Sequence, residues 1–329
     1  MLAELPRNVT GMAHSKKTLL ELHRPFSRRT LLKGLGVGAL GASVNLYGVA
    51  QAQGVSAPAK GPLGLEHTTV GEVEITVIKD VSLQLPPDAF GGGAPAGAVT
   101  DLLGRFNLPT DTLTASANVL LLRSAGELTL VDSGNGGNLL PSLEAVGVSP
   151  ADVNRVVLTH WHGDHVNGVS ADGTLNFPNA SHHFPKLDWD FLQAQAGSDE
   201  SIQGSLDKLV PADEAGVLEL YGSDAELTPN LRSVSAPGHT PGHHALLLSS
   251  GGASLLLMAD TANHPLIALT HPEWSFSFDA DAAQATRTRR QLYGRAADEG
   301  LQIFAYHFAF PGFGYVMRDG DGFRFTATV

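Results

Sequence analysis

The feature that most constrains this chain is a run of six residues, 160–165, that reads His-Trp-His-Gly-Asp-His. It places four side chains with nitrogen or oxygen ligand atoms close together, directly after an apolar segment at residues 153–158. Zinc and similar divalent ions bind imidazole nitrogens and carboxylate oxygens, and a catalytic site leaves one position open for water. The run therefore predicts a metal site at the end of a buried strand.

The spacing within the run divides its ligands between two ions. Alternate residues of an extended segment face the same side, so His160 and His162 can bind one ion. Asp164 and His165 lie on the turn that follows and can reach a second ion. The sequence therefore predicts a binuclear centre.

The composition limits which residue types can complete this centre. The chain has no cysteine, which excludes a thiolate metal site, a disulfide framework and a cysteine nucleophile. No serine lies in a Gly-X-Ser-X-Gly turn, so a serine nucleophile has no obvious candidate. Further ligands must be histidine, aspartate or glutamate, and we expect the attacking group to be water.

Apolar segments alternate with helical patterns along the chain, which predicts an α/β fold. Before the histidine run, we expect strands at residues 73–78, 118–122, 128–131 and 153–158 and a helix at 139–146. After it, we expect strands at residues 231–234, 245–248, 255–258 and 303–306, a helix at 282–297, and a hairpin of strands 315–318 and 323–326. On the helix at 282–297, we expect three arginines to reach solvent: Arg287, Arg289 and Arg290.

The N-terminal residues differ from the rest of the chain. The pair Arg28-Arg29 precedes a weakly hydrophobic stretch at residues 34–50 that contains five glycines, and Ala-Gln-Ala follows at 50–52. This pattern resembles a twin-arginine signal peptide, because so short and glycine-rich a segment makes a poor membrane-spanning helix. We expect residues 1–52 to be removed on export of the folded protein to the periplasm. Residues 53–64 would then form a flexible leader.

Charge narrows the class of partner. Residues 1–52 contain seven basic and two acidic side chains, so the net charge of −12 for the whole chain leaves −17 on the remainder. Such an acidic surface repels phosphate backbones and anionic lipid head groups. We therefore expect a neutral small molecule as substrate, no nucleic acid, and no stable membrane association after cleavage. The oligomeric state is open between a monomer and a homodimer.

The histidine run resembles the hallmark of the metallo-β-lactamase superfamily, which is His-X-His-X-Asp-His after a hydrophobic strand. The segment Pro-Gly-His-Thr-Pro-Gly-His around His239 is similar to the third-histidine loop of that family. Asp260 and His307, each after an apolar strand, match its bridging aspartate and its last histidine. The resemblance covers about residues 66–329. Residues 307–314 and the final hairpin look most like the methyl parathion hydrolase-like branch.

The resemblance implies an αββα sandwich that forms one catalytic domain, at residues 65–329, with two divalent metal ions that we expect to be Zn²⁺. It assigns seven ligands: His160, His162 and His239 to one ion, Asp164, His165 and His307 to the other, and Asp260 between them. A hydroxide shared by the ions would attack the substrate, and Asp164 and Asp260 would be the catalytic residues. Asp132, at the end of its strand, would support a ligand from behind.

The other histidines and the aromatic residues receive a structural interpretation. His243 and His244 are expected to pack or cap, and five histidines are expected at the surface or in loops: His67, His182, His183, His264 and His271. His264 lies four residues after Asp260 and could border the pocket. Four aromatic residues are interpreted as core rather than pocket: Trp189, Phe191, Trp274 and Phe276. We expect loops at residues 90–97 and 184–204 to select the substrate.

These features favour hydrolysis of an uncharged ester-like bond, in a lactone, a carboxylic ester or a phosphotriester. An oxidoreductase function is less consistent with the sequence, because the diiron oxidoreductase branch of the same fold carries glutamate at the position of His162. A nuclease conflicts with the acidic charge, and a glutathione thioester hydrolase would need a helical C-terminal domain where we expect a hairpin. β-Lactam hydrolysis stays open. So does a non-catalytic periplasmic binding module, although such decay would normally cost a ligand.

Overall fold

The computed structural model describes residues 64–328. The predicted signal peptide at residues 1–52 and nearly all of the predicted leader at 53–64 lie outside the described residues. Gly64 is the exception, because it already pairs with Lys79 as the first residue of a strand. Within residues 64–328, no helix is long and apolar enough to cross a membrane.

Two seven-stranded sheets form the centre of the domain. The first contains, in spatial order, β1 (Gly64–Val70), β2 (Val73–Leu85), β3 (Leu113–Ser124), β4 (Glu127–Val131), β5 (Arg155–Val157), β8 (Ser181–Pro185) and β9 (Leu218–Tyr221). The second contains β10 (Glu226–Thr228), β11 (Leu231–Ser235), β12 (His244–Ser250), β13 (Ala253–Leu257), β14 (Gln302–Phe304), β15 (Phe313–Asp319) and β16 (Gly322–Ala327). The short strands β6 (Ser170–Ala171) and β7 (Thr174–Leu175) form a separate ribbon.

Helices connect these strands. In chain order they are α1 (Ala98–Arg105), α2 (Leu139–Ala145), α3 (Gly163–Val166), α4 (Lys186–Ala194), α5 (Glu200–Glu214), α6 (Ile267–Thr270) and α7 (Ala282–Glu299). In the first sheet the neighbours from β1 to β4 are antiparallel, and the neighbours β4, β5, β8 and β9 are parallel. In the second sheet β13 and β14 are parallel, and the other neighbouring strands are antiparallel. These parallel pairs end at the same edge of their sheets, which is where ligand sites form in open α/β folds.

Hydrophobic residues on both faces of the strands hold the layers together. Leu120 and Leu122 of β3 face the second sheet and pack in one core with Leu246, Leu248, Leu255 and Leu257. Because side chains alternate along a strand, Val119 and Leu121 face the other side and pack in a core with residues of α2, α4 and α5: Leu139, Leu143, Leu192, Leu206 and Leu209. Burial on both faces explains why this strand reads as a continuous apolar run.

The outer face of the second sheet has its own core. Leu256 of β13 and Ile303 of β14 pack there against residues of α7, which are Leu292, Tyr293 and Ala296. The layers therefore follow the order helix, sheet, sheet, helix. This confirms the predicted α/β fold, an αββα sandwich in one domain.

The predicted elements are present, with shifted ends. The strand predicted at residues 153–158 is shorter, Arg155–Val157, and the helix predicted at 282–297 extends to Glu299. The loop predicted at 184–204 is wrong, because this segment contains α4 and the start of α5. Only three residues of α4 are buried, Asp188, Trp189 and Leu192, and this is too short an apolar stripe to distinguish a helix from a loop in the sequence.

The prediction for α7 is wrong at one arginine. Arg287 and Arg290 are exposed, but Arg289 is only 1% exposed. Its guanidinium donates to Oδ2 of Asp279 at 2.9 Å and to the backbone oxygens of Pro272 and Trp274 at 3.0 and 3.4 Å. A buried arginine is tolerated when its donors are paired in this way.

Candidate metal centre

The predicted ligands come from both sheets and meet at one edge of the sandwich. Residues 160–165 follow β5, with His162 immediately before α3. His239 lies in the loop between β11 and β12, Asp260 in a short 3₁₀ turn after β13, and His307 just after β14. The parallel pairs β4–β5 and β13–β14 place residues 160–165, Asp260 and His307 at this edge, and the connection between the antiparallel strands β11 and β12 places His239 there.

One group of ligand atoms, which we call the first cluster, consists of His160, His162, His239 and Asp260. Nδ1 of His162 lies 3.1 Å from Nε2 of His160 and 2.9 Å from Nε2 of His239. Nitrogens bound tetrahedrally to one zinc ion at ordinary bond lengths lie roughly 3.3 Å apart. The spacing of these nitrogens therefore fits a single bound cation.

A second cluster consists of Asp164, His165 and His307. Oδ2 of Asp164 lies 3.6 Å from Nε2 of His165 and 3.5 Å from Nε2 of His307. All ligand atoms within each cluster lie within 4.8 Å of one another. A second cation therefore has a compact set of two nitrogens and one oxygen.

Asp260 lies between the two clusters. Its Oδ1 is 3.1 Å from Nε2 of His165, and its Oδ2 is 3.2 Å from Nε2 of His239 and 3.0 Å from Nε2 of His307. Its carboxylate can therefore contact a cation in either cluster. This is the position that the resemblance implies for the bridging ligand.

Two buried polar atoms support a bound cation. Nε2 of His165 and Oδ1 of Asp260 have no hydrogen-bond partner in the described part of the chain, although they lie 3.1 Å apart. An unpaired buried polar atom is costly unless a ligand satisfies it. A cation between the two atoms would satisfy both. Five imidazoles and two carboxylates, nearly all buried, are also the donor types that zinc and related ions prefer.

The ring nitrogens that face away from the clusters are also held. Nδ1 of His165 lies 2.9 Å from Oδ2 of Asp132, whose Oδ1 accepts from the backbone N–H of Thr159 at 2.8 Å. Nδ1 of His307 donates to the backbone oxygen of Ser116 at 2.8 Å. Such partners fix the orientation of metal-binding imidazoles. Asp132 thus lies behind a predicted ligand, where the resemblance places it.

His239 is supported by an ion pair that the sequence analysis missed. Nδ1 of His239 lies 3.1 Å from Oδ1 of Asp279, and Oδ2 of Asp279 accepts from Arg289 and from the backbone N–H of Phe276. Asp279 lies forty residues after His239, in a segment without a recognisable motif. A sequence pattern alone offers no signal for this contact.

His243 packs, as expected, but it also holds a ligand in place. It is fully buried, its Nδ1 donates to the backbone oxygen of Ala236 at 3.0 Å, and its Nε2 accepts from the backbone N–H of Asp260 at 3.0 Å. Burial lowers the pKa of His243 to about 3, which keeps Nε2 an acceptor. The neutral imidazole therefore fixes the backbone that carries Asp260.

Burial and neighbouring charges give the ligands opposite titration behaviour. Burial and nearby histidines lower the pKa of His160 and His162 well below the ordinary value. Burial also opposes a charge on His165 and His239, but carboxylates outweigh it, raising the pKa of His165 well above its ordinary value and that of His239 to about 9. For Asp260, three charged histidines outweigh burial and lower its pKa. A cation that binds here must displace the protons on the raised histidines.

The surface or loop interpretation is wrong for two histidines, because His182 and His183 belong to β8 and are buried. His264 lies in a loop, as expected, although it is only 9% exposed. Nδ1 of His264 accepts from the backbone N–H groups of Leu266 and Ile267, where it caps α6. The expected positions hold for two others: His67 is exposed and His271 is half-buried.

Aromatic side chains lie beside the histidines of the first cluster and form what we call its rim: Trp161, Phe191, Phe276 and Phe278. The ring of Phe276 stacks parallel to that of His239 at 6.0 Å and against Phe90 at 4.9 Å. Phe278, 40% exposed, lies 6.3 Å from the ring of His162. The core interpretation of Phe276 is therefore incomplete, since this buried ring also contacts a predicted ligand.

The remaining aromatic residues divide between core and rim. Trp189 and Trp274 are buried in hydrophobic cores. Phe191 is half-buried and stacks on Trp161, between the first two histidines of the run. The loop at 90–97 reaches the same rim, because the backbones of Gly92 and Ser275 exchange two hydrogen bonds of 2.9 Å.

Curated relatives and solved structures share parts of this chain. An N-acyl homoserine lactonase, AttM, from Azorhizobium caulinodans is 29% identical over 177 residues, which is 50% of this chain and 62% of the relative. An N-acyl homoserine lactonase from Bacillus cereus is 25% identical over 37% of this chain and 43% of its own length. The chain thus spans less than two thirds of either lactonase.

Structural similarity is more extensive. AidC, a dizinc quorum-quenching lactonase in complex with a product, is 27% identical, with a TM-score of 0.76 over 81% of this chain and 98% of its own. The hydrolase AbOPH, of the beta lactamase superfamily, is 25% identical, with a TM-score of 0.76 over 82% of this chain and 99% of its own. The methyl parathion hydrolase-like branch stays a prediction.

The family itself is defined by a sequence model. The model of the metallo-beta-lactamase superfamily matches residues 114–298, more than half of the chain. This range contains the histidine run, His239 and Asp260, while His307 lies just beyond it. With this match and the αββα sandwich, the chain belongs to the metallo-beta-lactamase superfamily.

Proposed function

We propose that this protein is a metal-dependent hydrolase that opens the ester bond of neutral lactones, with N-acyl homoserine lactones as the first class to test. The observation that carries the proposal is the position of Asp260, whose carboxylate lies 3.0 to 3.2 Å from ring nitrogens of both clusters. Two divalent cations bound at clusters that share a carboxylate would suit hydrolysis of an ester. The similarity to the dizinc lactonase AidC supports the lactone as substrate.

The seven predicted ligands would bind the two cations, and the two carboxylates among them have further roles. Two divalent cations bound there would lower the pKa of a water molecule toward neutrality and stabilise negative charge on the substrate oxygen. Asp164 is more exposed than Asp260, with 19% of its side chain accessible to solvent. Its Oδ2 can accept a hydrogen bond from water and orient the attack, while Asp260 holds the clusters at a fixed separation.

We propose zinc as the ion at both clusters. Imidazole nitrogens outnumber carboxylate oxygens among the ligands, and zinc tolerates the low coordination number that each cluster offers. Manganese, iron and cobalt accept the same donors. Metal analysis of protein purified without added metal distinguishes them.

The rim explains why a neutral substrate with an apolar portion suits this site. Phe278 and Phe276 line the side of the first cluster, and Trp161 stacks on Phe191 nearby. Phenylalanine rings bury apolar groups and offer no positive charge or hydrogen-bond donor to an anionic substrate. Carboxylic esters and phosphotriesters present a comparable neutral electrophile, so we include them as secondary substrates.

One experiment tests the proposal. Zinc-loaded protein is assayed with N-hexanoyl-L-homoserine lactone, an aryl ester, a phosphotriester and a β-lactam, before and after chelation. We expect the lactone to be opened fastest, chelation to abolish turnover, and added zinc to restore it. Single turnover in oxygen-18 water should place the label in the released hydroxy acid.

Other outcomes would contradict the proposal in different ways. Faster turnover of the β-lactam would make the protein a β-lactam hydrolase. Full zinc occupancy without turnover of any substrate would favour a binding module. A trapped acyl-enzyme would exclude direct attack by water, whatever the substrate.

We also propose that residues 1–52 direct export of the folded protein to the periplasm. The pair Arg28-Arg29 ahead of a weakly hydrophobic segment motivates this. Replacing both arginines with lysine should retain the uncleaved precursor in the cytoplasm, as measured by cell fractionation, whereas Arg24→Lys should be exported normally. Wild-type export of the double variant would contradict the twin-arginine route.

A further inference from the structure

Asp188 is a fully buried carboxylate on α4 that contacts both histidine loops of the first cluster. Its Oδ2 accepts from the backbone N–H of Trp161 at 3.1 Å and from Oγ1 of Thr240 at 2.7 Å. Its Oδ1 accepts from the backbone N–H of Gly242 at 2.6 Å. One side chain therefore joins two segments that are almost eighty residues apart in the sequence.

The contacted groups are neighbours of the predicted ligands. Trp161 lies between His160 and His162, and Thr240 directly follows His239. The distance between these segments determines whether their three ring nitrogens converge, as the separations of 2.9 and 3.1 Å require. Asp188 contacts the backbone and a hydroxyl group here, and among the described residues neither ligand cluster includes it.

The local sequence is shaped to allow this contact. A Cβ atom on Gly242 would lie 2.5 Å from the backbone nitrogen of Asp188 and 2.9 Å from its Oδ1. Only glycine lets the loop approach so closely. Two of the carboxylate's partners are backbone N–H groups that would be left buried and unpaired without it.

We propose that Asp188 is a positioning residue that sets the relative placement of His160, His162 and His239, and thereby the cation affinity of the first cluster. This inference rests on the proposed function, because it assumes that the clusters hold cations. The expected effect is selective for one of the two clusters. Loss of Asp188 should weaken the first cluster and leave the second, which Asp132 and Ser116 support, unchanged.

The contact pattern indicates which substitution is informative. Asp188→Asn keeps the size of the side chain, but its amide group presents a donor where a carboxylate oxygen now accepts. At least one of the three hydrogen bonds is then lost. Thr240→Val removes only the hydroxyl donor and should have a smaller effect of the same kind.

The matched control lies on the same helix. Asp190 is two residues away, 52% exposed, and pairs only with Lys186 at the surface in the described structure. Asp190→Asn changes the charge of α4 by the same amount without touching either histidine loop. We expect it to bind both ions as the wild-type chain does.

The test measures metal at each cluster in the full chain. Zinc affinity is measured by competition with a chromophoric chelator, and anomalous diffraction from crystals at limiting zinc gives the occupancy of each cluster. For Asp188→Asn we expect a 10- to 100-fold loss of affinity at the first cluster, as outer partners of metal ligands typically show, with the second cluster unchanged. Excess zinc should restore kcat with little change in KM.

Two results would overturn the inference: wild-type affinity at both clusters, or an equal loss at both. If Asp188→Asn does not fold, Thr240→Val decides, since a loss confined to the first cluster supports the inference and no loss overturns it. Failure of the proposed function has a different signature. A wild-type chain that binds two zinc ions but opens no lactone rejects the activity, while the comparison of cluster affinities keeps its meaning.

Discussion

The two ligand clusters share Asp260 but differ in what holds their histidines. In the second cluster, His165 and His307 are supported by Asp132 at the end of β4 and by a backbone oxygen of β3. In the first cluster, His239 is supported by Asp279, which lies in the segment before α7, and Asp188 of α4 holds the loops.

Strand residues keep their geometry better than residues in loops. The groups that support the second cluster lie in or directly after strands, whereas the carboxylates that support the first lie on α4 and in the loop before α7. We therefore expect zinc affinity at the first cluster to depend on residues that are far from its ligands in the sequence. Zinc affinity at the second cluster should depend on fewer such residues.

The largest effect should come from the residue that the clusters share. Asp260→Ala removes a ligand from both, so we expect zinc content to fall at each cluster and lactone turnover to fall by orders of magnitude. Asp101→Ala, at an exposed position of α1, is the control. Two retained ions and a near-normal rate would show that Asp260 does not join the clusters.

How far the sequence predicts this centre depends on the distance between partners along the chain. Residues 160–165 are contiguous, so spacing alone predicted four ligands. His239, Asp260 and His307 needed the family resemblance, because nothing in their own segments shows that they meet. The contacts of Asp188 and Asp279 were missed because each joins segments that are 27 to 54 residues away.

The same limit explains the wrong predictions. Arg289 was expected in solvent because a helical arginine usually is, and only the fold brings Asp279 against it. The strand β8 was missed because His182 and His183 interrupt its apolar pattern. The buried central parts of β3 and β13 were predicted because burial on both faces leaves a continuous apolar run, although β3 begins five residues earlier than predicted.

A second prediction tests the support of the second cluster. Asp132→Ala leaves Nδ1 of His165 without its partner at 2.9 Å. We expect zinc affinity at the second cluster and kcat to fall by roughly 10- to 100-fold. A smaller loss is expected at the first cluster, because Oγ1 of Thr159 donates to Asp132 and lies 3.1 Å from Nδ1 of His160. Site-resolved zinc occupancy is the measurement, and Asp152→Ala, on the surface near β5, is the control. A larger loss at the first cluster would reverse the comparison.

A smaller effect is expected from Asp279→Asn. The amide can still accept from His239 or Arg289 through its oxygen, but it loses the negative charge that holds both. We expect a loss of several-fold to about tenfold in zinc affinity, confined to the first cluster, together with a lower melting temperature because Arg289 is left buried beside a neutral group. Asp281→Asn, exposed two residues away, should change neither cluster affinity. Equal losses at both clusters would mean that Asp279 acts through overall stability.

The smallest expected effect is a change in the free energy of unfolding with pH. This effect determines the pH range in which zinc affinities of the two clusters can be compared. His182, buried in β8 away from the clusters, has a pKa lowered by burial from 6.5 to about 4. Between pH 6.5 and about 4, His182 is therefore protonated in the unfolded chain and neutral in the folded chain. The stability contributed by neutral His182 is complete above about pH 6.5 and is lost as pH falls toward 4, by up to about 1.4 kcal/mol per pH unit.

Urea unfolding of zinc-free protein at a series of pH values measures this loss. His182→Leu should flatten the decline in the free energy of unfolding between pH 6.5 and 4, since leucine has no proton to gain. His67→Gln, at an exposed position of β1, should leave the decline unchanged. A decline that is identical in His182→Leu and the wild type would show that other groups cause it. If the decline does flatten, zinc affinities of the two clusters should be compared only above about pH 6.5. At lower pH the loss of stability would lower the apparent zinc affinity even when every ligand is present.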